Sequence, residues 1–270
     1  MALFKPKKVT NFVPLDKKRI TEELLSRGIE AECVVYDTIP STNTAAAEYG
    51  RKNPGACALF LAEEQSAGSG RLGRRFYSPK GAGLYMTLLF TPDGEESGGV
   101  WLTTLTAVAV RRAIKRLAPL NPSIKWVNDL YLDGKKLAGI LAKASLDEMG
   151  GIKYAIIGIG INILDTPLPD EIKDIATSLE AAGGGRIDRN ILAATIAENF
   201  FLALGDSRES LIKEYKSTSL VLGKRVRVIK SDEEYYAEAT DITERGELVL
   251  TLDNGEKEIL STGEVSIKDF

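Results

Sequence analysis

The segment Gly68-Ser69-Gly70-Arg71-Leu72-Gly73-Arg74 constrains the fold more than any other stretch of this chain, because of what flanks it. An apolar run at residues 56–62 precedes it, and Phe76-Tyr77-Ser78-Pro79 with Gly81 and Gly83 follows. As spelled, the loop satisfies the G-x-G-x-x-G pattern, whose use in dinucleotide binding requires a strand before it and a helix opening on the glycines. The strand is there. The helix is not, because Pro79, Gly81 and Gly83 interrupt the next stretch and residues 84–90 read as another strand. A pyrophosphate would have no helix N-terminus to sit on, which argues against a doubly wound nucleotide fold. A loop suited to anions remains: glycines let backbone N–H groups close around a phosphate or carboxylate, and the arginines supply charge that does not titrate away. The plainer alternative, a structural glycine-rich hairpin, has no need of the guanidinium groups of Arg71, Arg74 and Arg75.

The rest of the chain supports a mixed α+β fold. Residues 16–26 read as a short amphipathic helix closed by Gly28, and residues 34–36 as a strand. Ser41-Thr42-Asn43 offers N-cap chemistry before an alanine-rich helix at 44–49. Leu102, Leu105, Ala109, Ala113 and Leu117 recur at helical spacing, with Arg111 and Lys115 expected outside. Residues 124–132, 136–146 and 154–163 then read as successive strands, with turns at Asp133-Gly134 and Gly150-Gly151. Two further helical stripes run through Leu192, Ile196, Phe200 and Ala203 and through Leu211, Ile212 and Tyr215. Residues 165–185, rich in Pro, Gly and Asp, read as a long mobile connection. After Gly223 the texture becomes short strands at 225–229, 235–242, 247–252 and 258–260, the last pair joined by Asn254-Gly255, which suggests a small SH3-like barrel. The expected organisation is a tail and short helix at 1–33, a main domain at 34–220 and the barrel at 221–270.

Composition narrows the chemistry. The 270 residues contain no histidine, which removes Ser-His-Asp and Cys-His catalysis and His-based metal sites. General acid–base work then falls to Lys, Asp, Glu, Tyr or the substrate, favouring chemistry driven by positioning and electrostatics. Lys and Arg total 35 against 38 Asp and Glu, a net charge of −3, so no global basic field recruits nucleic acid. No apolar run approaches a membrane span, and the basic N-terminal stretch lacks a signal-peptide core and reads as a solvated arm. Two cysteines, Cys33 and Cys57, suggest no disulfide framework and point to a reducing cytoplasm.

Three motifs add to the loop. Lys125-Trp126-Val127-Asn128-Asp129 is followed after a turn by Lys136-Leu137-Ala138-Gly139-Ile140, and then by Ile156-Ile157-Gly158-Ile159-Gly160-Ile161-Asn162. Singly, each has a bland reading: Trp126 as core, Lys136 as a solvated residue after a hairpin turn, Asn128 and Asp129 as turn formers. Together they place a lysine in a largely apolar strand antiparallel to one carrying Asn-Asp, beside a strand with glycine gaps and a polar exit.

In this order the motifs resemble those of the biotin protein ligases, strongly over residues 36–162, and the barrel ending in Gly263-Glu264-Val265-Ser266 fits the same family. The resemblance implies a sheet-and-helix catalytic domain shared with class II aminoacyl-tRNA synthetases, binding biotin and ATP over residues 34–220. It implies that biotin and ATP, with Mg²⁺ carried by the nucleotide and no built-in metal site, give biotinyl-5′-adenylate. The biotinyl group then passes to a lysine of a biotin carboxyl carrier protein, typically a domain of a carboxylase. By the same resemblance, Arg71 and Lys136 bridge the two reacting anions and, with Arg74, Phe76, Asn128 and Asn162, serve the nucleotide. Ser41, Thr42, Asn43 and Gln65 face the ureido ring, Gly68, Ser69 and Gly70 line biotin with backbone, and Gly139 also belongs to the biotin side. Asp129 is the candidate for orienting the acceptor lysine or taking its proton. The cations matter because two like unit charges 4 Å apart repel by roughly 4 kcal/mol at an effective dielectric of about 20.

The chain departs from the family at Ser69, commonly Arg; at Phe76, commonly Trp; and at Val127, commonly Pro. Serine keeps backbone contacts and loses a cation, phenylalanine still stacks or closes the site, and valine relaxes a restricted backbone. Some members double as repressors through an N-terminal winged helix. The stretch before Val34 carries one short helix, so no DNA binding is expected. Sheet-edge homodimers occur in the family, and the sequence selects neither monomer nor dimer. Two other functions stay open: a lipoate or octanoate ligase or transferase of the same architecture, and a non-enzymatic biotin sensor.

Overall fold

The computed structural model describes residues 12–92, 98–146, 148, 151–230 and 233–267. Residues 1–11 of the expected basic tail and Gly150 of the expected turn lie outside the described residues. Helix α1 (Lys17–Leu25) is capped by Asp16, whose carboxylate accepts from Arg19 N, and it buries Ile20 and Leu24. Strand β1 (Glu32–Ile39) leads into helix α2 (Thr42–Lys52), then β2 (Ala58–Gln65), β3 (Gly83–Phe90) and the long helix α3 (Gly99–Leu117). Strands β4 (Ser123–Lys125), β5 (Asp129–Leu132), β6 (Lys135–Leu146) and β7 (Ile152–Asn162) follow as a meander, and helices α4 (Arg189–Gly205) and α5 (Arg208–Ser217) close the main domain.

The seven strands form one sheet in the order β1-β2-β3-β7-β6-β5-β4, antiparallel throughout except for the parallel β1–β2 pair. This is the mixed, mainly antiparallel α+β architecture expected. One face is covered by α3 and α4, into which Leu84, Met86 and Leu88 project. The opposite face is covered only at one end, where α2 packs Ala46 on Phe60, Leu89, Tyr154 and Ile156. Strand alternation puts Tyr154, Ile156, Gly158, Gly160 and Asn162 on that same face. The first two lie under α2; the last three run out from beneath it and line an open cleft. Among the described residues no second helix covers that stretch, and the uncovered face forms the site.

Four local expectations need correction. Residues 124–132 are two strands rather than one, because the chain doubles back at Trp126-Val127-Asn128 and Lys125 pairs with Asp129; the Trp126–Val127 peptide is cis. Helix α2 begins at Thr42, not Thr44, and its N-cap Ser41 makes no side-chain cap bond. Instead Gln65 Oε1 accepts from Thr42 N at 2.9 Å, so a residue 23 positions away supplies the cap. Arg111 is buried rather than outward-facing, donating to Pro122 O and Asn121 Oδ1. The connection at 165–185 has no long regular element, yet it is pinned: Lys136 N donates to Ile175 O and Thr177 N to Lys136 O, with Leu179 N bonding Asn162 O.

The C-terminal strands β8 (Lys224–Lys230), β9 (Glu233–Ile242), β10 (Leu248–Thr251), β11 (Lys257–Leu260) and β12 (Glu264–Ile267) form an antiparallel sheet in the order β11-β10-β9-β8-β12. This is the small SH3-like module, with β12 an addition to the strands read from sequence. Its β9–β10 turn docks on the main domain. Trp126 Nε1 donates to Gly246 O at 2.9 Å, and a Cβ at Gly246, whose φ is +84°, would stand 2.4 Å from Thr104 Oγ1. Val226, Val228, Leu248 and Leu250 join the hydrophobic core of the main domain, so one apolar interior runs through both.

Candidate active site

The cleft has a volume of about 330 Å³ and lies between the uncovered sheet face, the loop at 68–76 and the lip Gly263-Glu264-Val265 of the C-terminal module. Its floor is made by glycines that other side chains occupy. A Cβ on Gly158 would fall 2.3 Å from Asn43 Oδ1, and one on Gly160 would fall 2.6 Å from the Phe76 ring. Glycine is therefore required at both positions for Asn43 and Phe76 to pack directly against the sheet. Phe76 also meets Tyr85 edge-on, with ring centroids 6.4 Å apart.

A β-bulge aims the lysine. Asp129 pairs with Gly139, Leu130 with Ala138 and Tyr131 with Lys136, so Leu137 is skipped. Leu137 and Ala138 both enter the core, and Lys136 shares the cleft face with Gly139 although the two are an odd three positions apart. Lys136 Nζ lies 2.7 Å from Asp129 Oδ2. Asn128 Nδ2 donates to Asp129 Oδ1 at 2.9 Å and to Ile140 O at 3.2 Å. Arg71 Nη1 donates to Asn128 Oδ1 at 3.2 Å. A continuous polar chain, Arg71–Asn128–Asp129–Lys136, thus crosses the cleft from the loop to the sheet.

The loop carrying Arg71 is itself a short hairpin. Phe76 N donates to Gly68 O and Gly70 N to Arg74 O, and Leu72 and Gly73 turn the chain at φ of +53° and +72°. The C-terminal lip holds both arginines: Arg71 Nη2 donates to Gly263 O at 2.9 Å, and Arg74 forms a bidentate pair with Glu264 at 2.7 and 2.6 Å. Burial lowers the pKa of the Arg71 guanidinium, with the charge of Asp129 acting against it. At the other end of the cleft, Gln65 orders the neutral polar groups. Thr42 Oγ1 donates to Gln65 Oε1 at 3.1 Å, Gln65 Nε2 donates to Ser78 Oγ at 3.2 Å, and the Thr87 hydroxyl lies 2.7 Å from Asn43 Oδ1.

Of the residues expected from sequence, Ser41, Thr42, Asn43, Gln65, Ser69, Gly70, Arg71, Arg74, Phe76, Asn128, Asp129, Lys136, Gly139 and Asn162 all line this cleft. Gly68 does not. Its carbonyl closes the hairpin, and a Cβ there would stand 2.6 Å from Phe76 O and 2.7 Å from Ser78 Oγ, so its role is to let the hairpin fold. Asn162 reaches the cleft while its amide donates to Thr177 O. Sequence reasoning missed Lys125, Tyr131, the lip at 263–265 and the wall formed by Leu168, Ile172 and Ile175. Lys125 and Tyr131 had a signal, since both fall on the cleft face by alternation from Asp129. The lip was legible as a family-like motif at the end of the barrel but not as part of the site, and the wall had no signal; tertiary contact brings both in. Among the described residues, no group of three His, Cys, Asp or Glu side chains is placed to hold a metal ion. No helix among them is long and apolar enough to cross a membrane.

The profile of the biotin/lipoate A/B protein ligase family matches residues 35–162, and that of the biotin protein ligase C-terminal domain matches residues 221–268. The bifunctional ligase/repressor BirA of Bacillus subtilis is 34% identical over 256 residues, spanning 90% of this chain and 78% of its own length. The chain belongs to the biotin protein ligase family. The biotin–[acetyl-CoA-carboxylase] ligase of Mycobacterium tuberculosis is 29% identical over 264 residues, covering 93% of this chain and 95% of that one. Among solved structures, the biotin protein ligase from Aquifex aeolicus in complex with biotin and ATP superposes with a TM-score of 0.75 at 26% identity, over 88% of this chain and 98% of its own. Both matched regions of this biotin protein ligase border the cleft: Asn128, Asp129 and Lys136 come from the first, and Gly263-Glu264-Val265 from the second.

Proposed function

We propose that this chain activates biotin with ATP to biotinyl-5′-adenylate and transfers the biotinyl group to a specific lysine of a biotin carboxyl carrier protein. The observation that carries the proposal is the Arg71–Asn128–Asp129–Lys136 chain across one cleft. It sets two cations with fixed geometry where a carboxylate must approach a phosphate. The neutral groups of Thr42, Asn43 and Gln65 lie at one end, where a ureido ring needs donors and acceptors without charge. Phe76 packs against Gly160 at the side assigned to the nucleotide, where an aromatic ring can stack on a base.

In the first step a biotin carboxylate oxygen bonds to the α-phosphorus. The bond from that phosphorus to the bridging oxygen breaks, and pyrophosphate departs with the electron pair. Lys136 and Arg71 stabilise charge on the phosphoryl oxygens as it develops, a contribution that preorganised donors make without reorganising. Asp129 holds Lys136 in place beforehand. Mg²⁺ carried by the nucleotide would neutralise the triphosphate; the carboxylates that line the cleft are Asp129 and Glu264. In the second step the acceptor amine attacks the mixed anhydride, the bond from the acyl carbon to the phosphate oxygen breaks, AMP leaves, and Asp129 orients the amine or takes its proton. The proposal concerns the ligase half of the Bacillus relative's name, not the repressor half.

The test is incorporation of labelled biotin into a carrier domain with ATP and Mg²⁺, run beside labelled lipoate. Biotin transfer that needs ATP supports the proposal. Lipoate transfer alone assigns the chain to the lipoyl branch, and neither transfer nor pyrophosphate release makes it a binding protein.

A further inference from the structure

Five cationic side chains line the cleft, namely Arg71, Arg74, Arg75, Lys125 and Lys136, against the two carboxylates Asp129 and Glu264. The carboxylates are already engaged, Asp129 by Lys136 and Glu264 by Arg74. Arg71 donates to Asn128 and Gly263 O, and Arg75 to Ser66 O. Lys125 differs. It is half-buried on β4, and among the described residues its ammonium makes no ion pair. It lies over the ring of Tyr131, 5.4 Å from Nζ to ring centroid. Burial lowers its pKa, with Asp129 and Glu264 acting to raise it and Lys136 and Arg74 to lower it. Placing a cation in a partly closed cleft without an anion is costly unless an anion arrives there.

We infer that Lys125 is a further catalytic residue of the adenylation step, one that receives the β- and γ-phosphates of ATP and holds them as pyrophosphate leaves. The inference rests on the ligase reading of the same cleft. Pairing across the meander puts Lys125 beside Asp129, and Asp129 beside Gly139, so these positions form one row on the cleft face. Lys136 stands on β6 opposite Tyr131, next to that row, whereas Lys125 forms its β4 end, where the charges of Asp129 and Glu264 both reach it. With Lys136 and Arg71 assigned to the reacting carboxylate and α-phosphate, Lys125 stands on the outer side, where the departing group carries its charge. The bond that breaks joins the α-phosphorus to the bridging oxygen, and the electron pair stays on the pyrophosphate. An ammonium at that end favours the charge in the product more than in bound ATP, so it acts on departure as well as on binding. Tyr131 backs the ammonium with its ring, keeping the side chain directed into the cleft without neutralising it.

The experiment compares the parent protein with Lys125→Met and Lys125→Arg, measuring the KM for ATP, the inhibition constant of inorganic pyrophosphate, the Kd for biotin, and biotin transfer from pre-formed biotinyl-adenylate. Lys125→Met is expected to raise the ATP KM and the pyrophosphate inhibition constant together by tenfold or more. Its biotin Kd and its transfer from pre-formed adenylate should stay within twofold of the parent. Lys125→Arg should recover most of the pyrophosphate affinity. An unchanged pyrophosphate inhibition constant in Lys125→Met overturns the inference, as does a parallel loss of biotin binding, which would mark a structural role. If the parent itself releases no pyrophosphate with biotin, the ligase reading fails, a result separable from failure of Lys125 alone.

Discussion

Lys136 Nζ stands 2.7 Å from Asp129 Oδ2, across two antiparallel strands whose register is shifted by one residue between them. Without the skipped Leu137, Lys136 would alternate onto the core face, and Asp129 would be left without its cation. Both oxygens of Asp129 are engaged, Oδ1 by Asn128 and Oδ2 by Lys136. Asp129 therefore positions Lys136 before any proton-transfer role becomes available to it.

Lys136→Ala should cut single-turnover adenylate formation by about 10²–10³-fold, the effect of losing one preorganised donor to a developing oxyanion. Quench-flow measurement of biotinyl-adenylate checks it, with unchanged thermal melting as the control for folding. Asp129→Asn keeps the shape and removes the charge holding Lys136. It should slow adenylation less than Lys136→Ala does, and slow transfer to the acceptor more than it slows adenylation.

The two glycines on the cleft floor should separate the substrates. A Cβ at 158 meets Asn43 and one at 160 meets Phe76, each well inside contact distance. Overpacking of this kind costs about 1–3 kcal/mol. Gly158→Ala should weaken biotin binding by about tenfold with little effect on the KM for ATP, and Gly160→Ala should do the reverse. Calorimetry with biotin and steady-state kinetics with ATP read the two arms. Equal effects of both variants on both substrates would remove the assignment of Asn43 to biotin and Phe76 to nucleotide.

Arg71→Gly removes both the contact to Asn128 and the contact to Gly263 O, and so cuts the loop from the sheet and from the C-terminal lip. The loop should then close poorly over the adenylate, which escapes and labels bystander lysines. Mass spectrometry of serum albumin incubated with each protein, biotin and ATP measures this. Equal labelling by parent and variant would show that Arg71 does not retain the adenylate.

A prediction about stability rests on a different buried pair. Arg189 and Glu63 are both nearly inaccessible and lie 2.8 Å apart. Arg189 also donates to Gly83 O and Val13 O and lies over the Phe12 ring, while Glu63 accepts from Leu15 N. Removing one partner leaves the other charge buried alone, so Arg189→Ala should cost about 3–5 kcal/mol in urea denaturation. The segment Phe12–Leu15 should become the most protease-sensitive part of the described chain in that variant.

The legible and illegible parts of this molecule divide by range. Periodicity located most of the helices and strands, since the core stripe of α3 and the alternation along β7 are local patterns. The loop and the lysine strand were legible as chemistry because Arg71, Asn128, Asp129, Lys136 and Asn162 occur in motifs whose spacing survives folding. What escaped depends on contacts between distant segments. Gln65 capping α2 was invisible because 23 residues separate it from Thr42. Arg111 looked solvent-facing because its carbonyl partner at Pro122 lies past the helix end. The turn splitting residues 124–132 was masked by apolar Trp126 and Val127, which read as strand but supply the core under a hairpin. The lip at Gly263-Glu264 reaches Arg71 and Arg74 because the C-terminal module docks on the main domain, through Gly246 on Trp126 and through their shared core.

The central claim is that the Arg71–Asn128–Asp129–Lys136 chain makes an adenylate. The most direct measurement is pyrophosphate release by the purified protein with ATP and Mg²⁺, with and without biotin, before any acceptor is added. The account predicts a burst of pyrophosphate that requires biotin, approaches one equivalent per active site and is lost in Lys136→Ala. Biotin binding with no biotin-dependent pyrophosphate, or an equal burst in Lys136→Ala, would contradict it.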